Sequence, residues 1–181
     1  MRAFVAVDVD PAGASPRARA PSHITLRFLG EIGPDRLAAL DPPLREVARK
    51  FPPFRIRLDG VGAFPDRHRP RVLWIGVTDG RAALVDLAER VRRALAPVVG
   101  VDPTPFAPHL TLFRVRSPPD RTAAEELLSG QRPMPAPRDV EVRQVLLKES
   151  ELGRGGAVHR VVGTFPLAGR ETDLNEGPSA A

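Results

Sequence analysis

The sequence predicts an α+β fold in which two similar halves form one domain. Segments with apolar residues at every second position are interspersed with segments of helical periodicity, a mixture typical of this class. The second half repeats the order of the first, and one His-x-Thr pattern occurs in each. The 181 residues suit a single domain. Apolar periodicity ends before Gly169, so we expect a domain over residues 1–168 and a disordered tail over 169–181.

The first quarter of the chain predicts two strands and a broken helix. Strands are expected at Phe4–Val9 and His23–Leu29, separated by the loop Asp10–Ser22, which has no periodicity. Leucines at helical spacing predict a helix over Pro34–Lys50. Its segment Asp41-Pro42-Pro43 argues for a break, because proline has no amide hydrogen and clashes inside a helix.

The middle of the chain predicts a strand, a loop, a strand and a helix. Phe54–Leu58 and Val72–Val77 are strand-like, and Gly60–Arg71 between them is expected to be a loop. Ala82–Leu95 is amphipathic and predicts a helix that Pro97 and Gly100 end.

The second half predicts a strand at His109–Val115 and a short helix at Thr122–Leu128. Two further strands are expected at Val140–Leu147 and Val158–Phe165, around a glycine-rich turn at Gly153–Gly156.

Composition excludes several classes of protein. The chain contains no cysteine, so disulfides, thiolate metal sites and cysteine nucleophiles are excluded. No apolar run approaches the roughly 20 residues of a membrane span, and Met1–Asp8 is too short for a secretion signal. We therefore expect a cytoplasmic monomer without membrane association.

The charge is positive and almost all of it is arginine. Lys and Arg number 27 against 22 Asp and Glu, a net charge of +5, and the lysines are Lys50 and Lys148. Guanidinium groups bind phosphate oxygens and stack on bases, which favours a nucleic-acid or nucleotide partner. Codon bias produces the same composition, so the charge alone leaves both explanations open.

The repeated motif carries the chemistry. His23-Ile24-Thr25-Leu26 and His109-Leu110-Thr111-Leu112 both lie in predicted strands, each within two residues of a proline. Residues i and i+2 of a strand share a face, so each copy presents a histidine and a threonine together. Chance recurrence explains one copy easily, but it explains two matching copies poorly in a chain with 4 histidines.

Two imidazoles and two hydroxyls suit a displacement at phosphorus. With a pKa of about 6.5, one imidazole can take a proton from the attacking group while the other gives one to the departing oxygen. Threonine hydroxyls can hold nonbridging oxygens. No metal or other cofactor is required. A metal site is the competing interpretation, but two histidines are too few ligands and no Asp or Glu is spaced to complete the set.

The motifs resemble those of the two-histidine (2H) phosphoesterases, and in particular the family of RNA 2′,3′-cyclic phosphodiesterases, also called 2′-5′ RNA ligases. The resemblance covers about residues 2 to 168. The segments that carry it are Arg2–Val7, His23–Glu31, Phe64–Pro65, Arg71–Val77, Phe106–Leu112 and Val145–Ser150.

The resemblance implies a bilobal, duplicated fold in which two antiparallel sheets line a central cleft with helices outside. It implies hydrolysis of a terminal RNA 2′,3′-cyclic phosphate to a 2′-phosphate without a metal, with possible reverse 2′-5′ ligation. It implies that His23 and His109 are the catalytic pair and that Thr25 and Thr111 bind the phosphate. Arg114 matches a basic residue that often follows the second motif and is added to the phosphate-binding set.

The chain departs from the family pattern at two places. Family members usually have a helix between the first strand and the first motif, whereas here only Asp10–Ser22 intervenes, with three prolines. His159 stands where the family more often has an aromatic residue such as Tyr. It could be a third residue of the site, but a structural polar role is the favoured expectation. Trp74, in an apolar strand, is expected in the core.

Further RNA contacts are possible outside the motifs. The candidates are Phe64, Arg67, Arg69 and Arg71. The arginines would contact the RNA backbone, or the loop is simply solvated. Phe64 could stack on a terminal base; Phe4 and Phe106 could also stack, but are expected in the core.

Two other functions remain open at this stage. One is a phosphodiesterase that acts on small cyclic or 2′-5′-linked nucleotides, and the other is a non-catalytic RNA-binding module. The expected partner is therefore an RNA with a cyclic phosphate end or a small nucleotide.

Overall fold

The computed structural model describes residues 1–9, 23–153 and 156–170, which contain eight strands and four helices. Their bounds are β1 Arg2–Asp8, β2 His23–Glu31, α1 Pro34–Ala38, α2 Asp41–Arg49, β3 Phe54–Phe64, β4 Val72–Val77, α3 Arg81–Val99, β5 His109–Arg114, α4 Pro118–Ser129, β6 Arg138–Val142, β7 Gln144–Gly153 and β8 Gly156–Pro166. The loop expected at 10–22, the middle of the glycine-rich turn and the tail from residue 171 lie outside the described residues.

The strands form two four-stranded sheets with the same arrangement. The orders are β2-β1-β7-β8 and β5-β4-β3-β6, and every pairing is antiparallel. The motif strands β2 and β5 occupy equivalent edges, and these two edges contact each other. The α+β class, the duplication and the two antiparallel sheets are thereby confirmed.

The core lies on the faces of the sheets opposite to the motif side chains. Ile24 and Leu26 of β2 and Leu110 of β5 are buried in one cluster with α2 and α3. A smaller cluster, which includes Leu73 and Leu127, lies beneath α4. The helices therefore cover the outer faces and leave the motif faces to line a central cleft.

Two elements are longer than the sequence pattern predicted. Strand β3 continues through Gly60 to Phe64, so the prediction of a loop is wrong for residues 60–64. Gly60 adopts a φ of 74° where the β3–β4 register shifts, and this bulge lets the strand continue. Helix α3 continues past Pro97 to Val99, so Pro97 does not end it, whereas Gly100, with a φ of 82°, terminates it as predicted.

Three helices, α1, α2 and α4, have proline in their first turn. The predicted break occurs just before Asp41, and α2 then has proline in its first turn, where no amide donor is needed. Helix α4 starts at Pro118 rather than Thr122, because Ser117 and Asp120 form a reciprocal capping box.

The predicted strand Val140–Leu147 is two strands. β6 belongs to the second sheet and β7 to the first, and the chain passes from one to the other at the exposed Arg143. This crossing joins the two lobes.

Candidate active site

His23 begins β2 and lies, half-buried, in a cluster of rings. Its ring centroid is 5.0 Å from that of Phe4 and 5.2 Å from that of His159, which meets it edge-on. Burial, followed by the positive charges of Lys148 and His159, lowers the pKa of His23 to about 4. His23 is therefore a neutral imidazole at pH 7 in the free protein.

His109 begins β5 and has different neighbours. Its Nδ1 lies 2.6 Å from the carbonyl oxygen of Ala107. Because a carbonyl oxygen only accepts, Nδ1 carries the proton and donates a hydrogen bond to that oxygen. The ring of Phe64 meets it edge-on at 4.9 Å, and the Trp74 ring lies 6.3 Å away. These contacts fix the ring and leave Nε2 as the nitrogen available for chemistry.

The two motifs share a cavity of about 540 Å³. Thr25 from the first motif and His109 from the second both line it, together with Phe28, Phe64 and Phe106. Thr111 is half-buried on the motif face, where it pairs with Trp74 across β4 and β5. The fold therefore brings Thr25 and His109 from two distant segments to one cavity, whereas His23 and Thr111 lie outside its lining.

Matching bulges turn one further side chain of each motif strand toward the cleft. The register between β1 and β2 skips Leu26, and the register between β4 and β5 skips Leu112. Strand alternation is thereby displaced by one residue, and Phe28 and Arg114 return to the face of the histidines. Phe28 is 68% exposed. Sequence reasoning missed Phe28, because simple alternation directs it to the opposite face.

A partly buried ion pair lies on the same face of the first sheet. Lys148 of β7 is 7% exposed and donates a hydrogen bond to the carboxylate of Asp8, the cross-strand partner of His23. Neither residue was identified from the sequence. Lys148 could have been suspected as one of two lysines in an arginine-rich chain.

Two residues lie closer to the site than the sequence indicated. Trp74 belongs to the cleft face rather than the core, and its ring stacks at 5.3 Å against Phe64. Gly62 leaves room for this indole, since a Cβ there would lie 2.2 Å from the Trp74 ring. His159 contacts the rings of both His23 and Phe4, so it belongs to the site. The expectation of a purely structural role for His159 therefore does not describe its position.

The basic loop lies on the second lobe, between β3 and β4. Arg67, Arg69 and Arg71 are exposed, as expected. The Arg67 guanidinium donates to the carbonyl oxygen of Leu128 at the end of α4, and Asp66 accepts hydrogen bonds from two loop amides. The loop is therefore braced, and the RNA contacts of its arginines stay a prediction.

In the described ranges, no group of three or more His, Asp or Glu side chains is placed to hold a metal ion. Likewise, none of the four helices described has the length and apolarity of a membrane span.

Comparisons with known proteins agree with this geometry. Residues 9–152 match the family model of the 2′-5′ RNA ligase superfamily. A protein of Aquifex aeolicus named RNA 2′,3′-cyclic phosphodiesterase is 40% identical over 149 residues, which cover 81% of this chain and 78% of the relative. A protein of the same name from Archaeoglobus fulgidus is 37% identical over 182 residues, which cover 91% and 99%.

A solved structure matches as well. The crystal structure of Escherichia coli LigT complexed with 3′-AMP superposes with a TM-score of 0.67 at 25% identity, covering 92% of this chain and 97% of that one. The match spans both lobes and therefore both motif strands. The chain belongs to the 2′-5′ RNA ligase superfamily of 2H phosphoesterases.

Proposed function

We propose that this protein hydrolyses the terminal 2′,3′-cyclic phosphate of an RNA to a 2′-phosphate. One observation carries the proposal: the two His-x-Thr strands lie against each other, and Thr25 and His109 line the same cavity. Relatives that are 37–40% identical bear the name of this activity, which supports the same substrate class here.

His23 and His109 are proposed to divide the proton transfers. The oxygen of a water molecule attacks phosphorus, and the bond from phosphorus to the 3′-oxygen breaks. One imidazole accepts the proton of the water, and the other donates a proton to the 3′-oxygen. The low pKa of His23 favours this imidazole as the acceptor. The hydroxyls of Thr25 and Thr111 donate to the nonbridging oxygens as charge develops there.

The cavity and the residues around it suit a nucleotide. A volume of about 540 Å³ lies in the range of small-ligand sites. Phe28 and Arg114 lie on the cleft face, where an aromatic ring and a guanidinium can stack on a base. LigT was solved with 3′-AMP, which supports a nucleotide in this cleft. The proposed role of Arg114 thus extends from phosphate to base.

The same site can also join two RNA ends. When the 5′-hydroxyl of a second RNA attacks phosphorus in place of water, one imidazole accepts its proton, the bond to the 3′-oxygen breaks, and the other imidazole protonates that oxygen, which leaves a 2′-5′ phosphodiester. The name of the superfamily supports this weaker activity. The cytoplasmic location and the monomeric state stay predictions.

The test uses a short RNA with a terminal 2′,3′-cyclic phosphate, incubated with the protein in excess EDTA. Conversion to the 2′-phosphate, followed by ³¹P NMR, is expected. Lys50→Met, at the exposed residue that follows α2, is the matched control and should retain the rate, whereas His109→Ala should lose it. Cleavage of 2′,3′-cyclic AMP alone would indicate a small-nucleotide phosphodiesterase, and binding without turnover would indicate a non-catalytic module. Either result would contradict the proposal.

A further inference from the structure

The two histidines differ in what lies opposite them in their sheets. Across β1 and β2, the cross-strand partner of His23 is Asp8. Across β4 and β5, the equivalent partner of His109 is Gly76. The duplicated lobes therefore place a carboxylate beside one imidazole and no side chain beside the other.

The two sheets also differ at the position of Lys148. It is the cross-strand partner of Phe4 on β7, and the corresponding position in the second sheet is occupied by Phe64. The Lys148 ammonium nevertheless bonds to Asp8, four residues along β1 from Phe4. Ala6, which is buried, lies between Phe4 and Asp8 along β1.

Groups from three other strands surround His23. Phe4 and Asp8 come from β1, Lys148 from β7 and His159 from β8. The charged or titratable members are Asp8, Lys148 and His159.

We propose that the Asp8–Lys148 pair is a positioning element that sets the charge state of His23 in the free enzyme. The lysine opposes a second positive charge nearby, and the aspartate holds the ammonium in place. This inference rests on the proposed catalytic role of His23. Its test is a titration of His23, which measures the effect of the ion pair on this imidazole whatever reaction the protein catalyses.

A physical consequence separates this role from simple packing. Removing the Lys148 ammonium takes away a positive charge near His23 and leaves the Asp8 carboxylate without its partner. The lost positive charge and the unpaired negative charge both favour the imidazolium form of His23. Removing the carboxylate leaves the ammonium without its counter-charge, which favours the neutral imidazole. The two substitutions should therefore have opposite effects on His23, although both break the same ion pair.

The experiment is an NMR titration of the histidine ring protons in the full chain. The chain has 4 histidines, so the His23 signal can be identified with a His23→Gln variant. Lys148→Met is expected to raise the His23 midpoint by about one pH unit, and the acidic limb of kcat/KM should rise with it. Asp8→Asn should not raise it. Lys148→Arg keeps the charge and should hold the midpoint low, and Lys50→Met controls for the loss of a distant lysine.

Folding is checked by the melting temperature and by the signals of the other histidines. An unchanged His23 midpoint in a folded Lys148→Met protein would overturn the proposal. A similar rise in both Lys148→Met and Asp8→Asn would also overturn it, because loosening of the sheet moves both variants in one direction. If Lys148→Met does not fold, Asp8→Asn and Lys148→Arg still decide: a clear rise in either contradicts the proposed role.

Discussion

Gly62→Ala should damage the active site through a single methyl group. The added Cβ would lie 2.2 and 2.3 Å from two carbon atoms of the Trp74 ring. Carbon atoms pack at about 3.5–4.0 Å, so the indole must move by about 1 Å or more. Trp74 stacks on Phe64, and both rings lie against His109, so the displacement reaches the catalytic imidazole.

The expected magnitudes follow from this overlap. Overpacking of this kind costs about 1–3 kcal/mol of the free energy of unfolding, which lowers the melting temperature by roughly 2–12 °C in a chain of this size. A displacement of about 1 Å near the chemistry costs on the order of a hundredfold in rate. Hydrolysis of the cyclic phosphate and thermal unfolding measure the two effects.

The control is Gly33→Ala, where an added Cβ meets nothing within 4 Å and φ is −78°. It should retain both the rate and the melting temperature. Adding Trp74→Phe to Gly62→Ala should recover part of the lost stability, because the smaller ring makes room for the methyl group. Wild-type rate and stability in Gly62→Ala alone would refute the packing described for Trp74.

Three further predictions concern the motifs. His23→Ala and His109→Ala should each abolish hydrolysis with an unchanged circular dichroism spectrum; most of the rate remaining in either variant would contradict the two-imidazole mechanism. Thr25→Ala and Thr111→Ala should each cost about one to two decades in kcat, measured under saturating substrate. Because burial lowers the pKa of His23 from 6.5 to about 4, its contribution to stability is complete above pH 6.5 and is lost as the pH falls toward 4. The free energy of unfolding in urea should therefore fall less between pH 6.5 and 4 in His23→Gln than in the wild type. If this free energy falls with pH equally in both proteins, His23 is not buried in its neutral form.

The duplicated motif could be read from the sequence because strand alternation determines which side chains share a face. It placed His23 with Thr25 and His109 with Thr111 on common faces. The same rule failed for Phe28, since the bulge at Leu26 that reverses its direction is a property of the pairing between strands. Local sequence carries little information about such a register shift.

A change in the apolar pattern carried more information than the prediction used. Val140 and Val142 are buried and alternate with polar residues, whereas Val145, Leu146 and Leu147 are buried in succession. The change from an alternating to a continuous apolar pattern marks the point where the chain leaves one sheet for the other at Arg143. The position of Trp74 had no comparable signal, because every residue of β4 is apolar and the sequence therefore does not show which face lines a cleft.

The central claim is that His23 and His109 act on one phosphorus atom, and a crystal structure with the RNA 2′-phosphate product bound tests it most directly. The account predicts a ring nitrogen of each histidine within hydrogen-bond distance of oxygens on the same phosphate, with the hydroxyls of Thr25 and Thr111 on its other oxygens. A phosphate that contacts only one imidazole, with the other ring directed elsewhere, would contradict it.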